Sequence, residues 1–219
     1  MNALNNTYFA RSYALYKETV KVEGDEEQKI ELEYKKKLTT TQSNPFKALT
    51  FGGRSSGGRN NMGRTTVLNR GGGNKRKYRM VDFRYDKKDI PAIVESVEYD
   101  PYRTGFIALV LFKDGERRYV LAPQTMVKGD EMIVSETAKP KIGNRLPLGV
   151  IPVGTAVFNI EIKPGAGAKL ARSAGNVAEV VAHDNGYTLV KMPSTEVRKI
   201  ISTAWATIGA VSNEENRLV

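Results

Sequence analysis

The segment that decides the fold is FIALVLFKDGERRYVLA, residues 106–122. It contains two runs rich in β-branched, aromatic and aliphatic residues, Phe106 to Phe112 and Arg117 to Ala122, and each has the length of a strand. Asp114-Gly115 lies between them, which is a strong signal for a hairpin turn. The segment therefore predicts two neighbouring antiparallel strands.

Runs of the same kind lie on both sides of this hairpin. They are Tyr78 to Phe83, Ala92 to Tyr99 and Glu131 to Ser135, and turn residues separate them. Together with the hairpin they make five short strands at the spacing that is typical of small closed sheets. We therefore predict a small β-barrel over residues 78–139.

A second β module is predicted over residues 153–210. Asn185-Gly186 is another hairpin signal, and it lies between two runs of strand length. The predicted strands of this module are Ala156 to Ile162, Val177 to Ala182, Thr188 to Met192, Val197 to Ile201 and Ala206 to Ile208. The stretch rich in proline and glycine, 140–152, is predicted to link the two modules, and residues 211–219 are predicted to form a short tail. The predicted fold class is mainly β.

The positive charge of the chain is concentrated before the first barrel. The formal net charge is +10, and the segment from Gly52 to Lys88 contains eleven basic and two acidic residues, so it carries nine of the ten charges. Residues 52–77 are also rich in glycine and poor in aliphatic side chains. They cannot form a core, but glycine lets the backbone approach a surface closely and arginine donates fork-shaped hydrogen bonds to phosphate. This segment is predicted to be an extended arm that follows a folded nucleic acid.

Residues 1–51 differ from the arm because glutamates alternate with lysines and apolar periodicity is weak. We predict a peripheral, partly helical extension there. The first 17 residues contain Arg11 and Lys17 and no acidic residue, which is a weak resemblance to an organelle-targeting segment.

Composition excludes several classes of protein. The longest apolar runs reach only strand length, so no membrane insertion is predicted. The chain has no cysteine and a single histidine, His183, which excludes a disulfide framework and an ordinary Cys/His zinc site. The charge favours a polyanionic partner, either a nucleic acid or an acidic membrane surface, and does not by itself distinguish them.

No catalytic residue is predicted, and the chain is not expected to be an enzyme. The segment from Gly58 to Thr65 has the spacing of a phosphate-binding loop, but arginine occupies the position of the required lysine and no buried strand precedes it. Gly165-Ala166-Gly167 lacks the third glycine of a dinucleotide site. His183 stands beside Asp184 at a hairpin end without a nucleophile partner, so it is predicted to be an exposed turn residue.

A series of strings in order along the chain resembles a known family. They are SGGRNNMGR (56–64), GGGNK (71–75), YRMVDF (78–83), EYDPYR (98–103), KDGERRYVLAP (113–123), IPVG (151–154), KPG (163–165) and LARSAG (170–175). They resemble the family of the large-subunit ribosomal protein L2, and the resemblance extends from Ser55 to Leu218. It implies an oligonucleotide-binding-type barrel followed by an SH3-like barrel, in agreement with the predicted strands.

The resemblance also implies a function and a set of contact residues. The family binds large-subunit rRNA near the peptidyl-transferase region and supports subunit assembly and association, with neighbouring ribosomal proteins as partners. No cofactor is implied, apart from Mg²⁺ that accompanies the rRNA. Arg103 and Arg172 match marked RNA contacts of the family. The complete predicted RNA-binding set is Arg54, Arg59, Asn60, Arg64, Arg70, Lys75, Arg76, Lys77, Arg79, Arg103, Arg118, Lys163, Lys169 and Arg172.

Two departures from the family pattern limit the inference. Asn74 stands where the family carries histidine, so no role of that ring is transferred. The family also continues past the position of Val219, through a loop rich in glycine and histidine and a basic tail. From this we predict a mitochondrial ribosome, with plastid and bacterial ribosomes left open, and a missing segment that a separate polypeptide supplies or that has been lost. The alternative function is a free RNA-binding translation factor built on the same β modules.

Overall fold

The computed structural model describes residues 44–53 and 55–217, and these residues confirm the mainly β fold. The predicted N-terminal extension lies outside them up to residue 43. The described part contains three 3-10 helices, Lys47–Leu49, Leu148–Val150 and Glu214–Arg217. Its strands are β1 (Thr50–Gly52), β2 (Lys77–Arg79), β3 (Ala92–Glu98), β4 (Ile107–Phe112), β5 (Arg117–Leu121), β6 (Glu131–Met132), β7 (Arg145–Pro147), β8 (Ala156–Phe158), β9 (Ile160–Glu161), β10 (Ala168–Leu170), β11 (Ala178–Asp184), β12 (Tyr187–Lys191), β13 (Val197–Ile201) and β14 (Trp205–Ile208). Among these residues, no helix has the length and apolar character needed to cross a membrane.

The first module is built around the predicted hairpin of β4 and β5. Its antiparallel sheet has the strand order β5-β4-β3-β6. Gly115 has a φ of +87°, and the Asp114 side chain accepts a hydrogen bond from the Glu116 amide at 3.1 Å. The Asp-Gly pair therefore forms the turn that the sequence indicated.

Strand β4 reads as a continuous apolar run because both of its faces are covered. Ala108 and Val110 belong to the core cluster of the first module. Ile107 and Leu109 face the other way, where they pack with Tyr119 and with side chains of the segment before β1. The Phe46 amide donates a hydrogen bond to Tyr119 Oη at 2.8 Å, which fastens that segment to the sheet.

The second module contains a six-stranded sheet in the order β13-β12-β11-β8-β14-β7. Asn185 and Gly186 have positive φ and form the predicted turn between β11 and β12. The single strand predicted from Ala156 to Ile162 is divided at Asn159, where φ is +54° and the amide donates to the Ala171 carbonyl at 3.0 Å. Strand β9 therefore leaves the large sheet and pairs with β10 instead.

The stretch 140–152, which was predicted to be a linker, contributes to the core of the second module. Strand β7 lies within it and pairs with β14 at one edge of the six-stranded sheet. Leu146, Leu148 and Ile151 are fully buried. Pro147 is compatible with this strand because an edge strand does not need every amide for the ladder. The high proline and glycine content therefore hid a strand from the sequence analysis.

A buried polar cluster joins the two modules. Arg145 is fully buried, and its guanidinium donates to Glu161 Oε1 at 2.9 Å and to the Asn159 carbonyl at 2.7 Å. The same guanidinium lies 4.4 Å above the ring of Tyr85, which belongs to the core of the first module. Burial raises the pKa of Tyr85 to about 12, so the hydroxyl stays neutral and accepts a hydrogen bond from the Asn159 amide group at 2.8 Å. Trp205 of β14 also packs into the first core. The two modules therefore share their interior.

Candidate nucleic-acid interface

Most of the described arm is exposed, and part of it forms a local turn. Residues 59–78 are all exposed. Asn60 Oδ1 accepts hydrogen bonds from the amides of Met62 and Arg64, both at 3.0 Å, and the Gly58 carbonyl accepts from the Thr66 amide at 3.0 Å. Gly58 has a φ of +78°, and a Cβ atom there would come within 2.3 Å of the Val67 carbonyl oxygen. The local structure thus requires glycine at position 58 and uses Asn60, a predicted RNA contact, to shape the turn.

The described basic side chains of the arm have no carboxylate partner among the described residues. Within residues 44–53 and 55–217, no carboxylate forms an ion pair with these side chains. The side chains are Arg59, Arg64, Arg70, Lys75, Arg76 and Lys77. Arg54, another predicted contact, lies outside the described residues. An exposed segment with this charge attracts phosphate groups over several ångströms and is sensitive to salt.

At the root of the arm, β1 and β2 pair with each other, and the alternation of β2 points Arg79 inward. Arg79 is 8% exposed, and its Nη1 atom donates to the Lys77 carbonyl at 2.9 Å. It lies near Glu98, whose pKa is raised by burial, although hydrogen bonds from Tyr119 and Ser96 and the charge of Arg79 counteract that effect. The structure therefore places Arg79 in a buried network, away from the surface that the other predicted contacts share.

A turn after β2 presents Phe83 and is shaped by Asp82. Asp82 Oδ1 accepts hydrogen bonds from the amides of Arg84 and Tyr85, at 2.8 and 3.0 Å. Its other oxygen accepts from Arg118 Nη1 at 2.7 Å, while Arg118 Nε donates to a second carboxylate at 2.7 Å. Arg118, a predicted RNA contact, is therefore hydrogen bonded to two acids, with Asp86 a third at 3.9 Å, and it positions the turn.

Phe83 brings together the two arginines that the sequence singled out. The guanidinium of Arg103, from the first module, lies 5.5 Å from the centroid of the Phe83 ring, and that of Arg172, from the second module, lies 4.7 Å from it. Both distances are within the range of a cation–π contact. Arg103 and Arg172 are 69 positions apart in the sequence and thus contact the same ring in the fold.

The two arginines are held with different firmness. Arg103 Nε donates to Asp100 Oδ2 at 2.5 Å, and the other oxygen of this fully buried carboxylate accepts from the Tyr102 amide at 3.0 Å. Arg172 is exposed, and within the described residues its guanidinium makes only one long hydrogen bond, of 3.5 Å to the Ala168 carbonyl. Asp100 therefore fixes Arg103, whereas the orientation of Arg172 depends mainly on Phe83.

The loop before β10 fastens Phe83 to the second module. The Ala168 amide donates to the Phe83 carbonyl at 2.8 Å. Gly167 has a φ of +80°, and a Cβ atom there would come within 3.1 Å of the same carbonyl oxygen, so the close approach favours glycine. Lys163 and Lys169, two further predicted contacts, are exposed on either side of this attachment.

Exposed aromatic side chains next to the arginines were missed by the sequence analysis. Tyr78 and Tyr102 form an edge-to-face pair with ring centroids 5.4 Å apart. Arg76 Nη1 donates to the Pro101 carbonyl at 3.3 Å, which holds the end of the arm beside this pair. The alternation of aromatic and basic residues in KYR (77–79) and YR (102–103) was the available signal.

His183 makes hydrogen bonds within the second module. The Nε2 atom of His183 lies 3.0 Å from the Ile151 carbonyl oxygen, which can only accept, so Nε2 donates this hydrogen bond, and Nδ1 lies 3.1 Å from Thr188 Oγ1. These bonds tie β11 to its neighbours. Over the described parts of the chain, no group of three or more His, Cys, Asp or Glu side chains is arranged to hold a metal ion.

Comparison with known proteins assigns both halves of the structure. Residues 46–134 match the family described as Ribosomal Proteins L2, RNA binding N-terminal domain, and residues 141–219 match Ribosomal Proteins L2, C-terminal domain. The chain is 54% identical over 172 residues to the large ribosomal subunit protein uL2 of Granulibacter bethesdensis, an alignment that covers 78% of this chain and 62% of the relative.

Two other relatives give the same result. Over 171 residues the chain is 55% identical to uL2 of Hyphomonas neptunium, with 78% of this chain and 62% of the relative covered. Over 178 residues it is 49% identical to uL2 of Bacteroides thetaiotaomicron, with 81% and 65% covered. The chain thus spans less than two thirds of the length of these curated relatives.

Proposed function

Because the chain belongs to the ribosomal protein L2 family, we propose that it is a structural component of the large ribosomal subunit that binds large-subunit rRNA. The observation that carries the proposal is the meeting of Arg103 and Arg172 on the ring of Phe83. Each comes from a different β module, so one RNA surface can engage both modules at once. As a member of a family of structural proteins the chain is not an enzyme, and the family match favours a ribosomal protein over a free translation factor.

The parts of the interface have separate tasks in this proposal. The exposed cations of the arm and of Lys163 and Lys169 neutralise phosphates, which supplies affinity that falls with salt. Arg103 and Arg172 present planar guanidinium groups on either module beside Phe83, which suits fork-shaped contacts to phosphate or to base edges. Arg79, Arg118 and Asn60 support the interface indirectly, because their hydrogen bonds lie within the protein.

The finer location follows from the family and stays a prediction. We place the protein near the peptidyl-transferase region of the subunit, beside neighbouring ribosomal proteins, where it supports assembly and association. The relatives above are bacterial, so the mitochondrial compartment also stays a prediction. The same holds for a separate polypeptide that supplies a C-terminal segment.

Sedimentation tests the ribosomal assignment. The protein should sediment with large ribosomal subunits and should stay bound after a high-salt wash, because a structural component is enclosed by folded rRNA. A free translation factor would be removed by the wash, and the proposal would then be wrong.

Arginine variants test the interface. Arg103→Ala and Arg172→Ala should each weaken binding to large-subunit rRNA by about 1–3 kcal/mol, and lysine should restore only part of the loss because a point charge does not reproduce the planar fork. Arg198→Ala is a matched control, since Arg198 is an exposed arginine of β13 that pairs with Glu196. Loss of thermal stability in proportion to the loss of binding would make the two arginines structural residues instead.

A further inference from the structure

Three exposed aromatic side chains form a strip at the root of the arm. Phe51 of β1 and Tyr78 of β2 are paired across the two-stranded sheet, so their side chains stand on the same face. Tyr78 in turn contacts Tyr102 edge to face at 5.4 Å. The three side chains, which we call the aromatic strip, are 53%, 45% and 50% exposed.

The aromatic strip is held outward by the same contacts that shape the interface. Arg79 follows Tyr78 in β2 and is buried, so the alternation of the strand directs Tyr78 away from the core. The turn that carries Tyr102 is fixed by the buried carboxylate of Asp100 and is tethered to the arm by the bond from Arg76 to the Pro101 carbonyl. Little rearrangement is therefore needed before a ligand contacts the rings.

The charge around the aromatic strip indicates the ligand. Arg76 and Lys77 precede Tyr78, Arg103 follows Tyr102, and the arm cations form no ion pair within the described residues. The acids on the same stretch, Glu98 and Asp100, are buried and hydrogen bonded. Exposed rings beside these cations suit a ligand that has flat apolar faces and a negatively charged backbone. Single-stranded nucleic acid has both features.

We propose that the aromatic strip stacks on unpaired nucleobases of the bound RNA, while the neighbouring cations contact the phosphates. The inference rests on the proposed function and adds to it the kind of RNA that this corner of the protein takes, which is a looped or unpaired segment rather than a duplex. Base–aromatic stacking tolerates any sequence because every base has a π face.

The test compares two strands of equal charge. The complete protein is titrated with a single-stranded uridine oligonucleotide and with an abasic ribose-phosphate strand of the same length, and binding is followed by fluorescence anisotropy. Wild type should prefer the uridine strand. Tyr102→Ala should weaken binding of that strand about 5- to 150-fold, as expected for the loss of one stacked base, and should leave binding of the abasic strand and the salt dependence unchanged.

Two variants serve as controls, and the outcomes separate this inference from the proposed function. Tyr102→Phe keeps the ring and should bind like wild type, as should Tyr187→Ala, which removes an exposed tyrosine of the second module. Equal binding of both strands by wild type, as expected for a strip that docks a protein, overturns the inference alone. So does a preference for uridine that survives in Tyr102→Ala. Failure to bind either strand, together with failure to bind rRNA, overturns the proposed function as well.

Discussion

Replacing Phe83 by leucine should lower the affinity for large-subunit rRNA mainly by releasing Arg172. The ring contacts two guanidinium groups, at 5.5 Å for Arg103 and 4.7 Å for Arg172. A partly exposed cation–π contact contributes about 0.5–1 kcal/mol. Arg103 keeps its bond to the buried Asp100 in the variant, whereas Arg172 keeps only the 3.5 Å bond to the Ala168 carbonyl. The loss should therefore come almost entirely from Arg172.

The expected size of the effect follows from these contacts. If the loss of the oriented Arg172 costs about 1 kcal/mol of binding free energy, the affinity falls roughly fivefold, since 1.4 kcal/mol corresponds to about a factor of ten. In an Arg172→Ala background the same Phe83→Leu change should cost less than about a factor of two, because the oriented group is already gone.

A double-mutant cycle measures this coupling. Wild type, Phe83→Leu, Arg172→Ala and the double variant are titrated with an rRNA fragment by fluorescence anisotropy, and urea denaturation checks that all four are folded. Phe83→Tyr, which keeps the aromatic face, is the control and should bind like wild type. Equal losses from Phe83→Leu in both backgrounds would show that the ring does not position Arg172, and this prediction would be refuted.

Three further predictions concern the arm and the buried groups. Without RNA, the amides of residues 68–76 should exchange rapidly when followed by hydrogen-exchange mass spectrometry. They donate no backbone hydrogen bond within the described part of the chain, and the arm lacks a core. Protection of these amides in the free protein would contradict the arm hypothesis. Arg145→Met should lower the free energy of unfolding by about 3–5 kcal/mol in urea titrations, because it leaves Glu161 buried without its partner, and adding Glu161→Gln should recover part of the loss; a loss below about 1 kcal/mol would show that the pair is not needed. Burial raises the pKa of the Glu98 carboxyl above its ordinary value of 4.5. The stability that this carboxyl contributes is fully present below the ordinary value and is lost as the pH rises through the raised pKa. Over that pH window the free energy of unfolding of wild type should therefore fall relative to that of Glu98→Gln. Parallel pH profiles of the two proteins would argue against a raised pKa of Glu98.

The β modules were predictable because their signals are local. The Asp114-Gly115 and Asn185-Gly186 turns formed as predicted, since Gly115, Asn185 and Gly186 take the positive φ that these tight turns require. Strand β13 has the predicted bounds, Val197–Ile201. The two errors have different causes. Asn159 breaks a predicted strand through a positive φ that its own sequence does not demand, and β7 was hidden among proline and glycine.

The amino-acid sequence alone was enough to predict a mainly β chain with positive charge concentrated in a glycine-rich arm, and the family resemblance added Arg103 and Arg172 as candidate contacts. Composition, turn residues and short motifs can be read from neighbouring positions without knowledge of the fold. Which cations reach the surface depends on the folded chain. Arg79 and Tyr78 are adjacent in sequence, yet the pleat of β2 buries the first and exposes the second. Packing of the two modules against each other brings Arg103 and Arg172 onto Phe83, because that contact depends on how distant segments share a core.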